Sequence, residues 1–492
     1  MTRIAPRPLA AASLAFLMLL CASNCIAPLA PGYQILKESR DVRFVPGPTP
    51  ELQIHSAYTL LNSGTTNLSF IDVNFPDEKL YGRRNLRVEL DGRELTPAQL
   101  PDEYRQESPE ALRIAFDPPW DRKQKRDLTV DYSFSSPADL GSRITLGPDD
   151  FHLGHRGWSP LPQPPKRVLA PYPARPPKMS YTIRVPENFL VLARGKLAGR
   201  KKDGNEIVYR FDLSKTDLSP YVVAGRYVDS SRDRQSANIS FWTLQPLKDD
   251  PAAAAQRISA VWSTLQSAFG PLDKNIGQPH IVESPELRAH GDDEDAASVA
   301  SFPGGALISP GALALGWQSD ELIEKITHAL AHSWFGDQMY PAPNAQVGLG
   351  EGLPDYATVV ADEAQGGEPA RRKRILELLH TYDEVVQQAA ATPNPEKSII
   401  DVTPYDPILQ RRIARAKAAL FFISLEDAYG ATSVRHALTQ VVALLGGKDV
   451  GYDDVRSALE QSTGKNLAVP FRTWLYNTGL PQDFRSQYEN GK

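Results

Sequence analysis

The sequence predicts an α+β protein in which an antiparallel, β-rich N-terminal domain is followed by a mainly helical domain. Up to about residue 242, short segments alternate apolar and polar residues between Gly, Asn and Asp, which is the pattern of antiparallel strands. From residue 251 onward, apolar residues recur at helical spacing in Ala-rich sequence. The length of 492 residues exceeds one ordinary domain, so we expect two or three.

Individual strands of the first domain can be placed from this alternation. The predicted strands cover residues 52–58, 86–90, 128–134, 181–185 and 208–211. Residues 201–205 are interpreted as the hairpin turn that leads into the last of them. Eight prolines lie between Pro160 and Pro177, and proline at this density stops helices and inner strands. We interpret this stretch as an ordered loop that crosses the domain, with a flexible linker as the alternative.

The helical domain begins with a helix predicted over residues 251–269. Its larger apolar residues, from Ile258 to Leu265, lie at helical spacing and predict a buried face. We place the domain boundary near residue 246. This gives a β-rich domain over residues 32–246 and a helical domain over residues 247–487.

The first residues have the pattern of a signal peptide. Arg3 and Arg7 give a positive start, an apolar run follows over residues 9–20, and small residues precede Cys25. The run is too short for a comfortable membrane span. We therefore expect residues 1–27 to be a signal peptide and the protein to be exported, as a periplasmic, envelope-associated or secreted protein. An uncleaved N-terminal anchor is the alternative, and a lipid on Cys25 is a second route to membrane attachment.

Charge and cysteine content restrict the partners and the metal ligands. The formal net charge of −5 argues against nucleic acid as a partner. Cys21 and Cys25 are the two cysteines of the chain, and both lie in the predicted signal segment. A metal site in the rest of the chain must therefore use histidine and carboxylate ligands.

Residues 321–336 predict a helix that carries candidate ligands of this kind. Ser319 or Asp320 can cap its N-terminus, Gly336 can end it, and nothing between them breaks a helix.

Two histidines of this helix are candidates for two of the three protein ligands of a metal ion. His328 and His332 are four residues apart, so their side chains lie on one face, one turn apart. Two histidines and a carboxylate form a standard open zinc site, and Glu351 is the candidate third ligand. The alternative for two histidines at this spacing is a pair of polar core residues.

This region resembles the zinc region of peptidase family M1, the membrane alanyl aminopeptidase family. Members read His-Glu-x-x-His-x-Trp-Phe-Gly, and a Glu-Gly pair follows the second histidine after eighteen residues, as it does here. Other parts of the chain resemble the strand that closes the family's β-domain and the end of its helical domain. The matching segments are residues 332–336, 351–352, 219–225 and 471–481. The resemblance spans roughly residues 40–485 and implies a saddle-like β-domain packed on a thermolysin-like, gluzincin-type domain that binds zinc.

Three positions depart from the family pattern. The glutamate that acts as general base is replaced by Ala329, and a methyl group cannot carry out a proton transfer that contributes roughly 10²–10⁴-fold to rate. The tyrosine that stabilises the oxyanion aligns with Arg415, and Tyr405 is a candidate substitute. The glutamate that holds the substrate's amine aligns with Ser301.

Acidic residues near these positions have more than one interpretation. Residues Asp292–Asp295 could supply the missing carboxylate, although a solvated acidic loop is the simpler interpretation. Asp355, four residues after Glu351, is a candidate to orient a ligand histidine by accepting a hydrogen bond from it. The alternative is an exposed aspartate on the helix surface.

The sequence supports three functions. The first, which we favour, is an exported aminopeptidase-like protein with a zinc site that is catalytically impaired or inactive and acts by binding a peptide or protein partner. The loss of three separate catalytic devices favours it. The second is an active zinc aminopeptidase with rearranged groups, such as Arg415 as the electrophile, and the intact ligands favour it. The third is a structural domain, with a structural zinc ion or without metal.

Overall fold

The computed structural model describes residues 32–75, 83–99, 111–135, 144–154, 158–162, 179–213, 221–230, 239–246, 251–273, 276–287, 298–404, 406–446 and 449–489. Several predicted features lie outside these residues. They are the signal peptide with both cysteines, Asp292–Asp295, Tyr405 and most of the proline-rich stretch.

The first part of the chain consists of strands in three sheets. Its strands are β1 (Tyr33–Val45), β2 (Glu51–Asn62), β3 (Leu68–Asn74), β4 (Arg84–Leu90), β5 (Arg93–Leu95), β6 (Ala98–Gln99), β7 (Ala111–Trp120), β8 (Lys125–Ser135), β9 (Ile144–Leu146), β10 (Asp150–Leu153), β11 (Leu161–Pro162), β12 (Met179–Pro186), β13 (Leu190–Ala193), β14 (Lys196–Asp203), β15 (Glu206–Leu213) and β16 (Val222–Gly225). An eight-stranded sheet has the order β14-β15-β12-β1-β2-β8-β4-β5. Two four-stranded sheets have the orders β13-β16-β10-β9 and β11-β3-β7-β6.

The predicted strands of this part are present, within β2, β4, β8, β12 and β15. The predicted hairpin turn is also confirmed, because β14 and β15 pair across Gly204, whose φ of 62° suits glycine. Among the described strands of this part, pairing is antiparallel except between β1 and β12, which run parallel.

The core of this part lies between sheets. Along β12, side chains alternate between buried and partly exposed, so this strand presents one apolar face. Phe44 of β1 stacks on Phe151 of β10, with ring centroids 5.5 Å apart, so the eight-stranded sheet packs on the sheet that contains β10. The alternating sequence thus accounts for a layered β-structure with apolar inner faces.

The second part is mainly helical. Its elements are β17 (Val228–Asp229), β18 (Ser240–Thr243), α1 (Ala252–Phe269), β19 (His280–Glu283), β20 (Val299–Phe302), β21 (Gly305–Ile308), α2 (Pro310–Ala314), α3 (Asp320–Ala331), β22 (Tyr340–Pro341), α4 (Gly352–Ala390), α5 (Ile408–Tyr429), α6 (Ala431–Leu445), β23 (Asp449–Val450), α7 (Tyr452–Thr463), α8 (Ala468–Leu475) and α9 (Gln482–Glu489). Two short 3₁₀ helices cover Pro343–Ala345 and Ile399–Asp401. The α+β class and the order of its two parts are as predicted.

A five-stranded sheet begins this part, with the order β17-β18-β19-β21-β20. β18, β19 and β21 pair in parallel, and α1 provides the crossover connection that the parallel neighbours β18 and β19 require. β20 pairs antiparallel with β21 and lies at the edge of the sheet. Since β18 precedes residue 246 but pairs with β19 beyond it, the boundary placed near residue 246 stays a prediction.

The longest helix, α4, is formed by two helical segments. Gly367 interrupts it with φ 67° and ψ −161°, and Pro369 follows two residues later. Glycine tolerates this backbone conformation, and proline cannot donate the helical hydrogen bond, so the axis breaks there. α4 packs against α3 and α5. In the described part of the chain, no helix combines the length and the apolar character needed to cross a membrane.

A buried lysine joins α5 to the C-terminal segment. Lys417 is fully buried, and its Nζ donates to the backbone oxygen of Asn477 at 2.6 Å and to Oε1 of Glu396 at 3.3 Å. Glu396 also accepts from the backbone N–H of Gly479 at 2.9 Å. This ion pair therefore connects α5, the segment after α4 and the turn between α8 and α9.

Replacement of Lys417 by methionine should strongly destabilise the protein. It leaves the carboxylate of Glu396, which is 11% exposed, without its cation, which costs up to about 3–5 kcal/mol of unfolding free energy. The double variant Lys417→Met/Glu396→Gln should recover part of this loss, because no charge then stays buried. Urea unfolding followed by circular dichroism measures both, with the exposed Lys465→Met as control. If Lys417→Met were as stable as the parent, the stabilising role of the ion pair between Lys417 and Glu396 would be contradicted.

A buried carboxyl group lies where β10 meets the segment after β19. Asp150 is 2% exposed, and its Oδ2 accepts a hydrogen bond from Oγ of Ser284 at 3.4 Å. Burial, with the nearby carboxylate of Glu286, raises the pKa of Asp150 from 3.8 to about 7.

Stability should therefore depend on the ionisation of Asp150. Because the pKa is raised in the folded state, its contribution to stability is complete below about pH 4 and is lost as the pH rises through about 7. Between pH 5 and pH 8 the parent should lose more unfolding free energy than Asp150→Asn, by about 3 kcal/mol. Chemical unfolding across this pH range measures the difference. Asp149→Asn, whose parent side chain is 45% exposed, is the control, and equal pH profiles of parent and Asp150→Asn would refute the prediction.

Candidate metal centre

Helix α3 carries the two candidate histidine ligands at its C-terminal end. Oγ of Ser319 caps the other end by accepting from the backbone N–H of Leu322 at 3.4 Å. His328 lies in the last turn and His332 is the C-cap residue. The helix ends at Ala331 and not at Gly336 as predicted, because the following residues form a compact turn with its own backbone hydrogen bonds.

This turn holds the ring of His332. Gly336 has a φ of 147°, and a Cβ at this position would lie 3.2 Å from Nδ1 of His332. The imidazole therefore packs on glycine backbone that a side chain would crowd. The carbonyl oxygen of Phe335 lies 3.3 Å from the same Nδ1, which places the proton on Nδ1 and leaves Nε2 as the ligand atom.

A buried serine joins the helix end to the edge of the sheet. Ser333 follows His332 and is fully buried. Its Oγ accepts from the backbone N–H of Gly304, in the turn between β20 and β21, at 2.9 Å. The β20–β21 hairpin is therefore tied to the backbone next to a candidate ligand.

Glu351 is placed by the start of α4. It is the N-cap residue of this helix and is followed by Gly352. A Cβ on Gly352 would lie 2.5 Å from Cβ of Ala418 and 3.1 Å from the carbonyl oxygen of Arg415. The glycine thus lets α4 approach α5 closely enough to bring Glu351 over the end of α3.

The three candidate ligands converge. Nε2 of His328 lies 3.2 Å from Nε2 of His332. Oε2 of Glu351 lies 3.4 Å from the first of these nitrogens and 3.5 Å from the second. Among the described residues, this is the group of histidine and acidic side chains able to hold a metal ion, with one ligand atom each.

The spacing and the donor types fit zinc. Zinc holds its nitrogen and oxygen ligands at about 2.0–2.1 Å, so two ligands of a tetrahedral ion lie about 3.3–3.4 Å apart. The observed separations of 3.2, 3.4 and 3.5 Å cluster around this value. The side chain of Glu351 is 44% exposed, so the site opens to solvent on one side, where a further ligand has access.

The electrostatics of the cluster favour an ionised glutamate. The partial burial of Glu351 alone would raise its pKa, but the imidazoles of His332 and His328 outweigh this effect and hold the pKa well below its usual range. Burial lowers the pKa of His332, and the carboxylate of Glu351 reverses this and raises it. Protons and a metal ion therefore compete for the same nitrogen.

Asp355 orients His328, as the sequence suggested it could. Its Oδ1 lies 2.8 Å from Nδ1 of His328, so Nδ1 donates and Nε2 carries the lone pair that faces the cluster. Burial opposes ionisation of this carboxyl group, but Arg415 and His328 outweigh it and hold its pKa well below the usual range. Asp355 is buried and is not an exposed surface residue.

Arg415, at the position predicted for the oxyanion-stabilising group, binds Asp355. Its Nε donates to Oδ2 at 2.6 Å and its Nη2 donates to Oδ1 at 2.7 Å. This is a two-point ion pair of the kind that the planar guanidinium favours.

The two other substituted positions lie on different elements. Ala329 is 2% exposed and belongs to the apolar core of the helical part. Ser301 lies in the edge strand β20, paired with Ala306, and α3 packs against this strand.

The ion pair between Arg415 and Asp355 was not predicted from the sequence. The two residues are 60 positions apart, and neither periodicity nor motif spacing connects them. The structural roles of Gly336 and Gly352 were also missed, although glycine directly after a motif is a signal of close backbone approach.

Comparison with known proteins adds family information. Residues 305–474 match the family model described as the peptidase family M1 domain. No curated protein matches the chain by sequence.

Solved structures are similar over most of the chain. An M1 zinc metallopeptidase from Deinococcus radiodurans has a TM-score of 0.62 and 17% identity, with 92% of this chain and 95% of that chain covered. A glutamate-to-alanine mutant from the same organism, bound to Tyr-Ser-Ala substrate, has the same TM-score and identity, with 92% and 96% covered. A two-domain M1 zinc metallopeptidase mutant bound to L-tryptophan has a TM-score of 0.63 and 16% identity, with 92% and 96% covered.

These likenesses agree with the resemblance seen in the sequence motifs. The family match covers β21, the histidine helix, Glu351 and the helices up to α8, and the solved structures match the β-rich part as well. Residues 305–474 therefore match the peptidase family M1 domain, and the chain has the two-domain fold seen in M1 zinc metallopeptidases.

Proposed function

We propose that this chain is a zinc-binding, aminopeptidase-like protein that binds a peptide or protein partner without hydrolysing it at ordinary enzyme rates. Zinc would be held by His328, His332 and Glu351. The observation that carries the proposal is the contrast within one site. Three ligand atoms meet at tetrahedral spacing, while the residue after the first histidine is alanine.

The chain's own residues explain the expected loss of turnover. Zinc bound at this site would supply Lewis acidity toward a peptide carbonyl. Hydrolysis also requires a group that takes a proton from water and passes it to the leaving amine. The methyl group of Ala329 cannot do this, and the guanidinium of Arg415 has no acceptor atom.

Peptide binding is supported by the solved relatives. A glutamate-to-alanine mutant of an M1 zinc metallopeptidase is bound to Tyr-Ser-Ala substrate. An M1 cleft in which one glutamate is replaced by alanine therefore still binds a peptide. This chain has the same fold, with alanine at position 329.

An active enzyme with rearranged groups receives less support. The electrophile considered for it, Arg415, donates two hydrogen bonds to Asp355. Moving this guanidinium toward a substrate would break an ion pair with a carboxylate that is 12% exposed. A metal-free structural domain does not explain why three ligand atoms converge.

We further propose that the chain is exported, since Arg3, Arg7 and the apolar run over residues 9–20 have the signal-peptide pattern. Membrane attachment through an uncleaved signal or a lipid on Cys25 stays open within this proposal. Nucleic acid is not proposed as a partner, because the net charge is −5.

The purified chain should bind about one zinc ion. His332→Ala and Glu351→Gln should each reduce zinc to near zero at micromolar free metal, because two ligands alone do not form a stable zinc site. Plasma mass spectrometry after metal-supplemented purification measures zinc per chain. His380→Ala is the matched control, since this histidine is 74% exposed on α4. Zinc-free parent protein would refute the proposed metal site.

The zinc-loaded chain should bind Tyr-Ser-Ala and leave it intact. We expect kcat below about 1 s⁻¹, the lower end of ordinary enzyme values, because no group is in place to transfer the proton. Ala329→Glu should also stay below this rate, because Arg415 remains paired with Asp355 and does not stabilise the oxyanion in place of the tyrosine. Calorimetry measures binding, and chromatography of the peptide measures cleavage.

One result would contradict the absence of turnover. It is cleavage by the parent at about 1 s⁻¹ or faster that His328→Ala abolishes, since contaminating peptidases would not respond to this variant. Failure of the zinc-loaded chain to bind any short peptide would contradict the peptide-binding part.

A further inference from the structure

We propose that Arg415 is a positioning residue of the metal centre, which fixes Asp355 and, through it, the ring orientation and proton position of His328. The inference rests on the proposed zinc site and adds a role for the residue at the tyrosine position. Arg415 then serves the metal ligands and does not serve as a donor to the substrate.

Asp355 accepts hydrogen bonds from both Arg415 and His328. Its Oδ1 is shared by Nδ1 of His328 at 2.8 Å and Nη2 of Arg415 at 2.7 Å, while its Oδ2 binds Nε of Arg415 at 2.6 Å. Both carboxylate oxygens are therefore held by one rigid guanidinium. The carboxylate cannot rotate away from the imidazole without losing both hydrogen bonds to the arginine.

The proton on His328 follows from the same geometry. Nη2 of Arg415, which can only donate, lies 3.4 Å from Nδ1 of His328, but the carboxylate oxygen of Asp355 is closer, at 2.8 Å. If Nδ1 lacked its proton, its lone pair would face the lone pairs of Asp355 at 2.8 Å. The proton is thus on Nδ1, where Asp355 accepts it, and Nε2 is left to bind metal.

The packing of the helices keeps Arg415 in this arrangement. The carbonyl oxygen of Arg415 lies 3.1 Å from the position that a Cβ on Gly352 would occupy, so α5 passes directly beside the first turn of α4. Asp355 stands in that first turn. The guanidinium and the carboxylate therefore face each other where the two helices pass close together.

Two other roles for Arg415 give different results. As a plain link between α4 and α5, it would affect the stability of the metal-free protein but not its zinc affinity. As an isolated cation near the site, it would repel the metal ion, so its removal would strengthen zinc binding. As a positioning residue, its removal weakens zinc binding, and only while Asp355 is present.

The experiment is a double-mutant cycle on the zinc affinity of the purified chain. Arg415→Met, Asp355→Asn and the double variant are compared with the parent by competition with a chromophoric chelator at fixed pH. Arg415→Lys keeps the positive charge but not the planar guanidinium that binds both carboxylate oxygens. Arg412→Met is the control, since it removes an exposed arginine one turn earlier on α5. The thermal unfolding of each metal-free variant shows that it is folded, and the visible spectrum of the cobalt-substituted protein reports ligand geometry.

We expect Arg415→Met to weaken zinc binding about tenfold, at the lower end of the effect of groups that orient metal ligands. Arg415→Lys should weaken it at least about threefold. The double variant should bind zinc no more weakly than Asp355→Asn alone, because Arg415 acts through Asp355. The cobalt spectrum should change in Arg415→Met and not in Arg412→Met.

Several results would overturn the inference. Zinc affinity unchanged or increased in folded Arg415→Met is one, and parental affinity in Arg415→Lys is another. Equal effects of Arg415→Met with and without Asp355 would show a direct action. If the parent itself binds no zinc, the proposed metal site is contradicted. If the parent and Arg415→Met bind zinc equally well, the metal site stands and only the role of Arg415 is contradicted.

Discussion

The close approach of α4 to α5 at Gly352 is the constraint on which the metal centre depends. A side chain there would meet Ala418 at 2.5 Å, and the helices would have to separate. Glu351 and Asp355 lie at the start of α4, so both would move away from the histidines of α3. One glycine thus sets the distance of a candidate ligand and of the group that orients another ligand.

Much of the fold could be predicted from the sequence because its patterns are local. Alternation located the strands now seen in β2 and β12, and helical spacing located α1. The parallel pairing of β18 with β19 could not be predicted in this way, because it depends on the path of the chain across α1. The end of α3 was placed too late because Gly336 closes a turn beyond the helix and not the helix itself.

The candidate site was predictable to the same depth. The i, i+4 histidines and Glu351 could be identified because helix geometry and family spacing bring them together. That Asp355 contacts His328 was one of two alternatives, and burial decides between them. The ion pair of Arg415 could not be foreseen, since it joins two helices whose packing is set by the size of Gly352 and Ala418. A substitution that looked in the sequence like a lost catalytic group has, in the fold, an electrostatic partner.

The hydrogen bond from the backbone N–H of Gly304 to Oγ of Ser333 couples the β20–β21 hairpin mechanically to the candidate metal centre. β20 is the edge strand of the five-stranded sheet, and Ser333 directly follows the candidate ligand His332. A displacement of the hairpin would therefore be transmitted through this one hydrogen bond to the backbone beside a candidate metal ligand.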